Sequence, residues 1–171
     1  MTRSLVTGGA GFIGSHVVRA LLVAGHEVVV VDNLSTGSRE NLADVERDIH
    51  FVQGDVLDRD LMGRLLRVTD YVFHQAALPS VPRSVADPWS ANDHNLNGTL
   101  SVLLAARDAG VARVVYASSS SVYGDTPVLP KRESMPATPL SPYAITKYVG
   151  ELYCEAFHRL YGLETVALRY F

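Results

Sequence analysis

The 171-residue chain has a single cysteine, Cys154, one tryptophan, and no lysines besides Lys131 and Lys147. A lone cysteine excludes an intrachain disulfide, and six histidines without zinc-type Cys/His spacing leave no expected metal site. No apolar run approaches the roughly 18 residues needed to cross a membrane as a helix. The residues after Met1-Thr2-Arg3 are strand-like and carry no signal-peptide h-region. The net charge is only −3, and the arginines are scattered instead of forming a stripe. These absences point away from nucleic-acid and membrane partners and towards a reducing, cytoplasmic setting.

What is present is apolar residue, 47% of the chain, enough for one domain with a full core. Short β-branched runs alternate with helical patterns. Strands are expected at Leu5 to Thr7, Glu27 to Asp32, Ile49 to Val52, Tyr71 to Phe73, Arg113 to Ala117 and Thr165 to Tyr170. Helices are expected at Gly11 to Ala24, Arg59 to Arg67, Asn92 to Ala109 and Pro142 to Tyr161, with Gly25, Gly110 and Gly162 as closing glycines. Strand–helix alternation implies an α/β parallel sheet, and strands as apolar as "VVVVD" imply helices on both faces. Between Tyr123 and Pro142 a proline-rich stretch reads as a long irregular loop over the strand tips.

"TGGAGFIGS", residues 7 to 15, sets Gly8, Gly9, Gly11 and Gly14 between the first strand and the first helix. So many glycines there indicate either a merely tight turn or a backbone that something must approach closely. The α/β context favours the second. In Gly8-x-x-Gly11-x-x-Gly14 the helix N-terminus would hold a dinucleotide pyrophosphate, and Asp32, at the tip of the second strand, would accept the adenosine ribose hydroxyls. A carboxylate there repels a 2′-phosphate, so the expected cofactor is NAD and not NADP, with Arg39 the one neighbour able to reverse this. Asp55 would face the adenine or cap the following helix, "HQAA" (His74 to Ala77) would run beside the middle of the cofactor, and His74 itself is expected to pack or bond locally.

"SPYAITKYVGE" places Tyr143 and Lys147 four residues apart, on one helix face. A phenol is a poor base at neutral pH, and a neighbouring ammonium is expected to lower its pKa. "YASSSSVYG" brings Ser118 to Ser121 to the end of the fifth strand, where hydroxyls suit a bound substrate better than they suit a strand.

In order along the chain, "TGGAGFIGSH", "DNLSTG", "GDV", "HQAA", "NLNGT", "SSSSVYG", "SPYAITK" and "LRYF" resemble the extended short-chain dehydrogenase/reductases, in their nucleotide-sugar epimerase/dehydratase branch. The resemblance runs from Leu5 to Phe171 and implies a Rossmann-type doubly wound sheet of strand order 3-2-1-4-5-6. By similarity to the UDP-hexose 4-epimerases it implies three catalytic residues: Ser119, sharing the substrate 4-hydroxyl with Tyr143, and Lys147 on the nicotinamide ribose. The implied NAD contacts are Gly8, Gly11, Phe12, Ile13 and Gly14 at the pyrophosphate, and Asp32, Asn33, Ser35, Thr36 and Gly37 around the ribose. Asp55 and Val56 follow at the adenine, then Gln75, Ala76, Ala77, Asn95, Ala117, Tyr143, Lys147 and Tyr170 towards the nicotinamide. Asn95 could equally be a cap or packing residue. Arg83 is a candidate substrate or phosphate contact, or a solvent-facing loop residue.

The family's dehydratases carry an Asp-Glu pair where this chain has Ser120 and Ser121, and its decarboxylases usually carry glutamate at the second position. Serines there leave epimerisation at C4 of a UDP-hexose or UDP-N-acetylhexosamine as the implied reaction, with Ser120 and Ser121 beside the substrate. In the family the chain continues past this point into a second lobe that grips the nucleotide-sugar, so residues 1–171 correspond to the cofactor lobe, either the catalytic part of such an epimerase or an NAD-binding module without turnover, and a substrate lobe is expected beyond. The helix from Pro142 is apolar on more than one side (Ile145, Val149, Leu152 and Ala156; also Tyr148, Tyr153 and Phe157), more than one sheet contact requires. In the family this helix joins a paired-helix dimer interface, so the resemblance implies a homodimer.

Overall fold

The computed structural model describes residues 2–171. Six parallel strands, β1 (Arg3–Thr7), β2 (Glu27–Asp32), β3 (Ile49–Gln53), β4 (Tyr71–His74), β5 (Arg113–Ser119) and β6 (Thr165–Tyr170), form one sheet in the order β3-β2-β1-β4-β5-β6. The expected Rossmann-type strand order is therefore the observed one. Its register sets Val6 beside both Val30 and Phe73, so neighbouring strand tips finish along one edge.

The period-two geometry of strands divides the valine runs between two cores. Leu5, Val29, Val31 and Val72 bury one face against α2 (Arg59–Leu66), α5 (Gly98–Ala109) and α6 (Pro142–Tyr161). Val6, Val28 and Val30 bury the other against α1 (Phe12–Val23), through Val18 and Leu21. Gly110 and Gly162 close α5 and α6 in the left-handed conformation, as their positions in the sequence imply.

Three segments differ from the sequence expectations. The stretch before Asn92 is not loop but two short helices, α3 (Val81–Ala86) and α4 (Pro88–Asn92), each begun by a side-chain cap and a proline in its first turn. The expected helix from Asn92 to Ala109 begins with a π-helical turn, Asp93–Asn97, before α5. On α6, Tyr153 is not on an outward face: it packs against the core of α2, α5 and α6, while Ile145 and Leu152 are 48% and 46% exposed. No helix among the described residues is long and apolar enough to cross a membrane.

Candidate active site

The strand tips open into a cleft of about 520 Å³. At its floor the chain turns out of β1 through Gly8, whose φ of +68° places it in the left-handed region. A Cβ there would lie 2.6 Å from the Ala76 amide nitrogen, and one on Gly14 would collide with the Gly8 carbonyl oxygen. The Gly11 N–H donates to that carbonyl at 3.1 Å, and Gly11 begins α1 with no side-chain cap and no acidic residue in the first turn. The positive end of α1 therefore faces the cleft, with Phe12 and Ile13 exposed beside it.

At one end of the cleft stand Asp32, Asn33, Ser35, Thr36, Gly54, Asp55 and Val56. The buried Asp32 carboxylate accepts the Ala10 N–H at 2.9 Å and the Leu34 N–H at 2.8 Å, and each oxygen keeps a second lone pair for a ligand hydroxyl. Asp55 accepts from the Leu57 N–H at 2.9 Å and from Asn33 Nδ2 at 2.7 Å, while Asp58 caps α2. Arg39 is turned away: it pairs with Glu46 and lies over the Phe51 ring, 4.7 Å from its centroid. Gly37 packs against the Ala10 backbone and is not part of the cleft lining.

At the other end Ala117, Ser118, Ser119 and Ser120 meet Tyr143, Lys147 and Tyr170, with Gln75, Ala76 and Ala77 along the wall. Gln75 Nε2 donates to the Tyr170 hydroxyl at 3.4 Å. Lys147 is 4% exposed, and its Nζ donates to the Ala117 carbonyl at 2.8 Å. Burial pulls this ammonium down to about 8. The Tyr143 phenol is pushed up, not down, because its burial outweighs the favourable hydrogen bonding of Ser119. This corrects the expectation that Lys147 lowers it: Nζ lies 6.0 Å from the tyrosine ring centroid and directs one of its three N–H groups to the Ala117 carbonyl.

The serines have separate duties. Ser119 Oγ accepts from the Ser121 hydroxyl at 2.8 Å and from its N–H at 3.2 Å, so Ser121 orients Ser119 without lining the cleft. Ser118 turns its hydroxyl to Glu151, which also receives Arg169 through two N–H donors at 2.9 and 2.8 Å. Arg83 lies exposed on α3, outside the cleft lining, and Asn95 is buried behind the wall, accepting the Leu78 N–H at 2.7 Å. Sequence reasoning missed Leu78, Pro79, His94 and Phe171, all of which line the cleft. Its one available clue to His94 was adjacency to Asn95. The π-helical turn shifts which side chains face inward, and a 3.6-residue periodicity does not report such a shift.

A dinucleotide-binding α/β domain, with its cleft at the carboxyl ends of the parallel strands, is the class that this fold defines. Residues 4–171 match the pattern of the NAD dependent epimerase/dehydratase family, and the chain belongs to it. It is 48% identical over 166 residues to a UDP-glucose 4-epimerase of Mycolicibacterium smegmatis, covering 95% of this chain and 53% of that protein. A Thermus thermophilus UDP-glucose 4-epimerase solved with NAD superposes with a TM-score of 0.93 at 44% identity, over 99% of this chain and 55% of that one. The dTDP-glucose 4,6-dehydratase DesIV of Streptomyces venezuelae, solved with NAD and TYD, is as similar, with a TM-score of 0.94 at 44% identity over 98% and 55%. The chain spans about half the length of the curated relatives it matches.

NAD is the cofactor of this family, and the cleft fits it. A Cβ at Gly8 or Gly14 would collide with the backbone of the wall or of the turn itself, so the turn stays tight and bare beside the uncapped N-terminus of α1, and His94, which lines the cleft, has a buried Nδ1 without a partner among the described residues.

Proposed function

We propose that the chain is the cofactor-holding and catalytic lobe of an isomerase that epimerises C4 of a UDP-hexose or UDP-N-acetylhexosamine through a 4-keto intermediate. The observation that carries this reading is the convergence of Ser119, Tyr143 and Lys147 at one end of a cleft whose other end is Asp32. Bound NAD would take the C4 hydride and return it.

In this reading the Tyr143 phenol exchanges the proton of the sugar 4-hydroxyl. Ser119, held by Ser121, bridges the two oxygens and fixes the line of transfer. Lys147 and the N–H groups at the start of α1 hold ribose and pyrophosphate, and Asp32 holds the adenosine ribose. Asn33, Ser35, Thr36, Asp55, Val56, Gln75, Ala76, Ala77, Ala117 and Tyr170 complete the contacts. Arg39, committed to Glu46, is not available to neutralise Asp32, which supports NAD over NADP.

The dehydratase relative keeps a second reaction open at family level. Ser120 and Ser121 favour epimerisation, because elimination of water needs a carboxyl acid and base that these positions lack. A lobe following residue 171 that grips the nucleotide-sugar belongs to the same proposal, as do a homodimer through α6 and a cytoplasmic setting. Calorimetry with NAD and NADP, followed by an assay of UDP-glucose and UDP-N-acetylglucosamine, tests the reading. Tight NAD binding, at least tenfold weaker NADP binding, and little turnover by residues 1–171 alone are expected, since binding energy from the second lobe would position the sugar. Equal affinities for the two dinucleotides would overturn it.

A further inference from the structure

His74 is 1% exposed at the tip of β4, and the proposed chemistry makes no use of it. Its Nδ1 lies 2.7 Å from Thr7 Oγ1 and its Nε2 lies 3.0 Å from Thr99 Oγ1. Both threonines are buried. The direction of each hydrogen bond follows from the neighbours. Thr99 Oγ1 spends its proton on the Asn95 carbonyl at 2.5 Å, so towards His74 it can only accept, and Nε2 carries the hydrogen. Thr7 Oγ1 already accepts the Ala76 N–H at 3.2 Å, which leaves its own proton for Nδ1.

The chain of bonds then closes on itself. The Asn95 side chain accepts the Leu78 N–H at 2.7 Å and donates to the Leu78 carbonyl at 3.2 Å, and Leu78 is joined to Ala76 through the backbone. The enclosed segment, Ala76 to Leu78, is the cleft wall facing the glycine turn. One branch leaves the ring: Asn95 Nδ2 donates to Thr146 Oγ1 at 3.2 Å, and Thr146 donates to the Tyr143 carbonyl at 2.8 Å.

We propose that His74, as the neutral Nε2–H tautomer, is the positioning residue of the cofactor cleft. It ties the end of β1 to Thr99 at the start of α5, which in turn bonds the π-helical turn at Asn95, and so sets the distance of the Ala76–Leu78 wall from both the glycine turn and the Tyr143 helix. Burial supports the neutral form by bringing the imidazole down to about 3, with the nearby Lys147 ammonium acting in the same direction; the Tyr116 ring, 5.8 Å away, covers another side. A charged imidazole would present Nδ1–H to a hydroxyl that then lacks an acceptor for its own proton.

The tautomer is read directly by ¹⁵N NMR of histidine-labelled protein at neutral pH, with His74→Phe assigning the signal. A protonated-type Nε2 and an unprotonated-type Nδ1 are expected; the reverse pattern, or a doubly protonated ring, overturns the proposal. The positioning role rests on the NAD reading and is read by calorimetry. His74→Phe and Thr99→Val should each weaken NAD binding by roughly tenfold, because each removes a buried partner from the ring, whereas Thr99→Ser should restore it to within about twofold. Unchanged affinity in Thr99→Val with the fold intact by circular dichroism overturns the role even if His74→Phe fails to fold. Absence of NAD binding by the unmodified chain defeats the functional reading and the positioning role together, while the NMR result still decides the ring itself.

Discussion

At the Asp32 end of the cleft, polar side chains are held largely by their own neighbourhood: Asp32 accepts from Leu34, Asn33 from Ser35, and Asp55 from Leu57. At the Tyr143 end the partners are distant in sequence: Lys147 with Ala117, His74 with Thr7, Asn95 with Thr146. The first kind of site is a set of turns, each closed by a side chain and a backbone N–H two residues apart. The second kind is buried, and burial shifts its groups, with the lysine and imidazole pulled down and the phenol pushed up. One end of the cleft is shaped by local turns, and the other has its acid–base chemistry set by tertiary packing.

The sharpest way to break this contrast is at Tyr143. Tyr143→Phe keeps the ring and its packing but removes the exchangeable proton, so turnover in any active form should fall by about 10²-fold or more. Dinucleotide affinity should stay within a few-fold by calorimetry. A variant with substantial remaining turnover would remove the phenol from the mechanism.

Next in size is Gly8→Ala. The positive φ and a Cβ 2.6 Å from the Ala76 amide together should cost about 2–4 kcal/mol of stability, read as a lowered urea midpoint, and NAD binding should be lost. Gly25 has a similarly positive φ but no atom within 4 Å of a built Cβ, so Gly25→Ala should cost only about 1 kcal/mol. Equal costs at the two positions would mean that the close approach to Ala76 does not constrain the turn.

The buried lysine predicts a smaller, pH-dependent effect. Lys147 has its pKa brought from 10.5 to about 8, so above pH 8 the unfolded chain binds a proton that the folded chain lacks, and stability rises with pH. Cys154, raised from 9 to about 12, acts oppositely from pH 9 upward, and the raised Tyr143 does so from pH 10. Between pH 8 and 9 the unmodified chain should therefore gain up to about 1 kcal/mol relative to Lys147→Met, measured by urea unfolding at both values. Parallel pH profiles would show that the ammonium is not buried as described.

The smallest effect on the folded chain is expected at the exposed face of α6. Leu152→Glu should change monomer stability by less than about 0.5 kcal/mol, because the side chain is already half in water, yet it should abolish self-association. Sedimentation of the unmodified chain as a monomer at high concentration would remove the proposed homodimer.

The sequence alone determined the sheet and which residues stand at the Asp32 end of the cleft. The β-branched runs place all six strands. Gly8, Gly11 and Gly14 are informative because a positive φ and close backbone approaches restrict which residues fit, and Asp32 ends its strand at a position that the register then places in the cleft. Such features lie within one turn or one strand, where spacing and conformation are almost the same information. Tyr143 and Lys147 were legible for a similar reason, being one helical turn apart.

Only the tertiary structure decided what those side chains experience. That Lys147 faces the Ala117 carbonyl, that Ser118 turns to Glu151 while Ser119 turns to the cleft, and that Arg83 stays outside depend on contacts between residues far apart in the chain. The π-helical turn that buries Asn95 and brings His94 into the cleft has no periodic signal, since one added residue in a turn disturbs the pattern by which a helix is recognised. Burial is a property of everything packed around a group. The direction in which Tyr143, Lys147 and His74 are shifted therefore belongs to the fold, while the capacity of each to exchange a proton belongs to the residue.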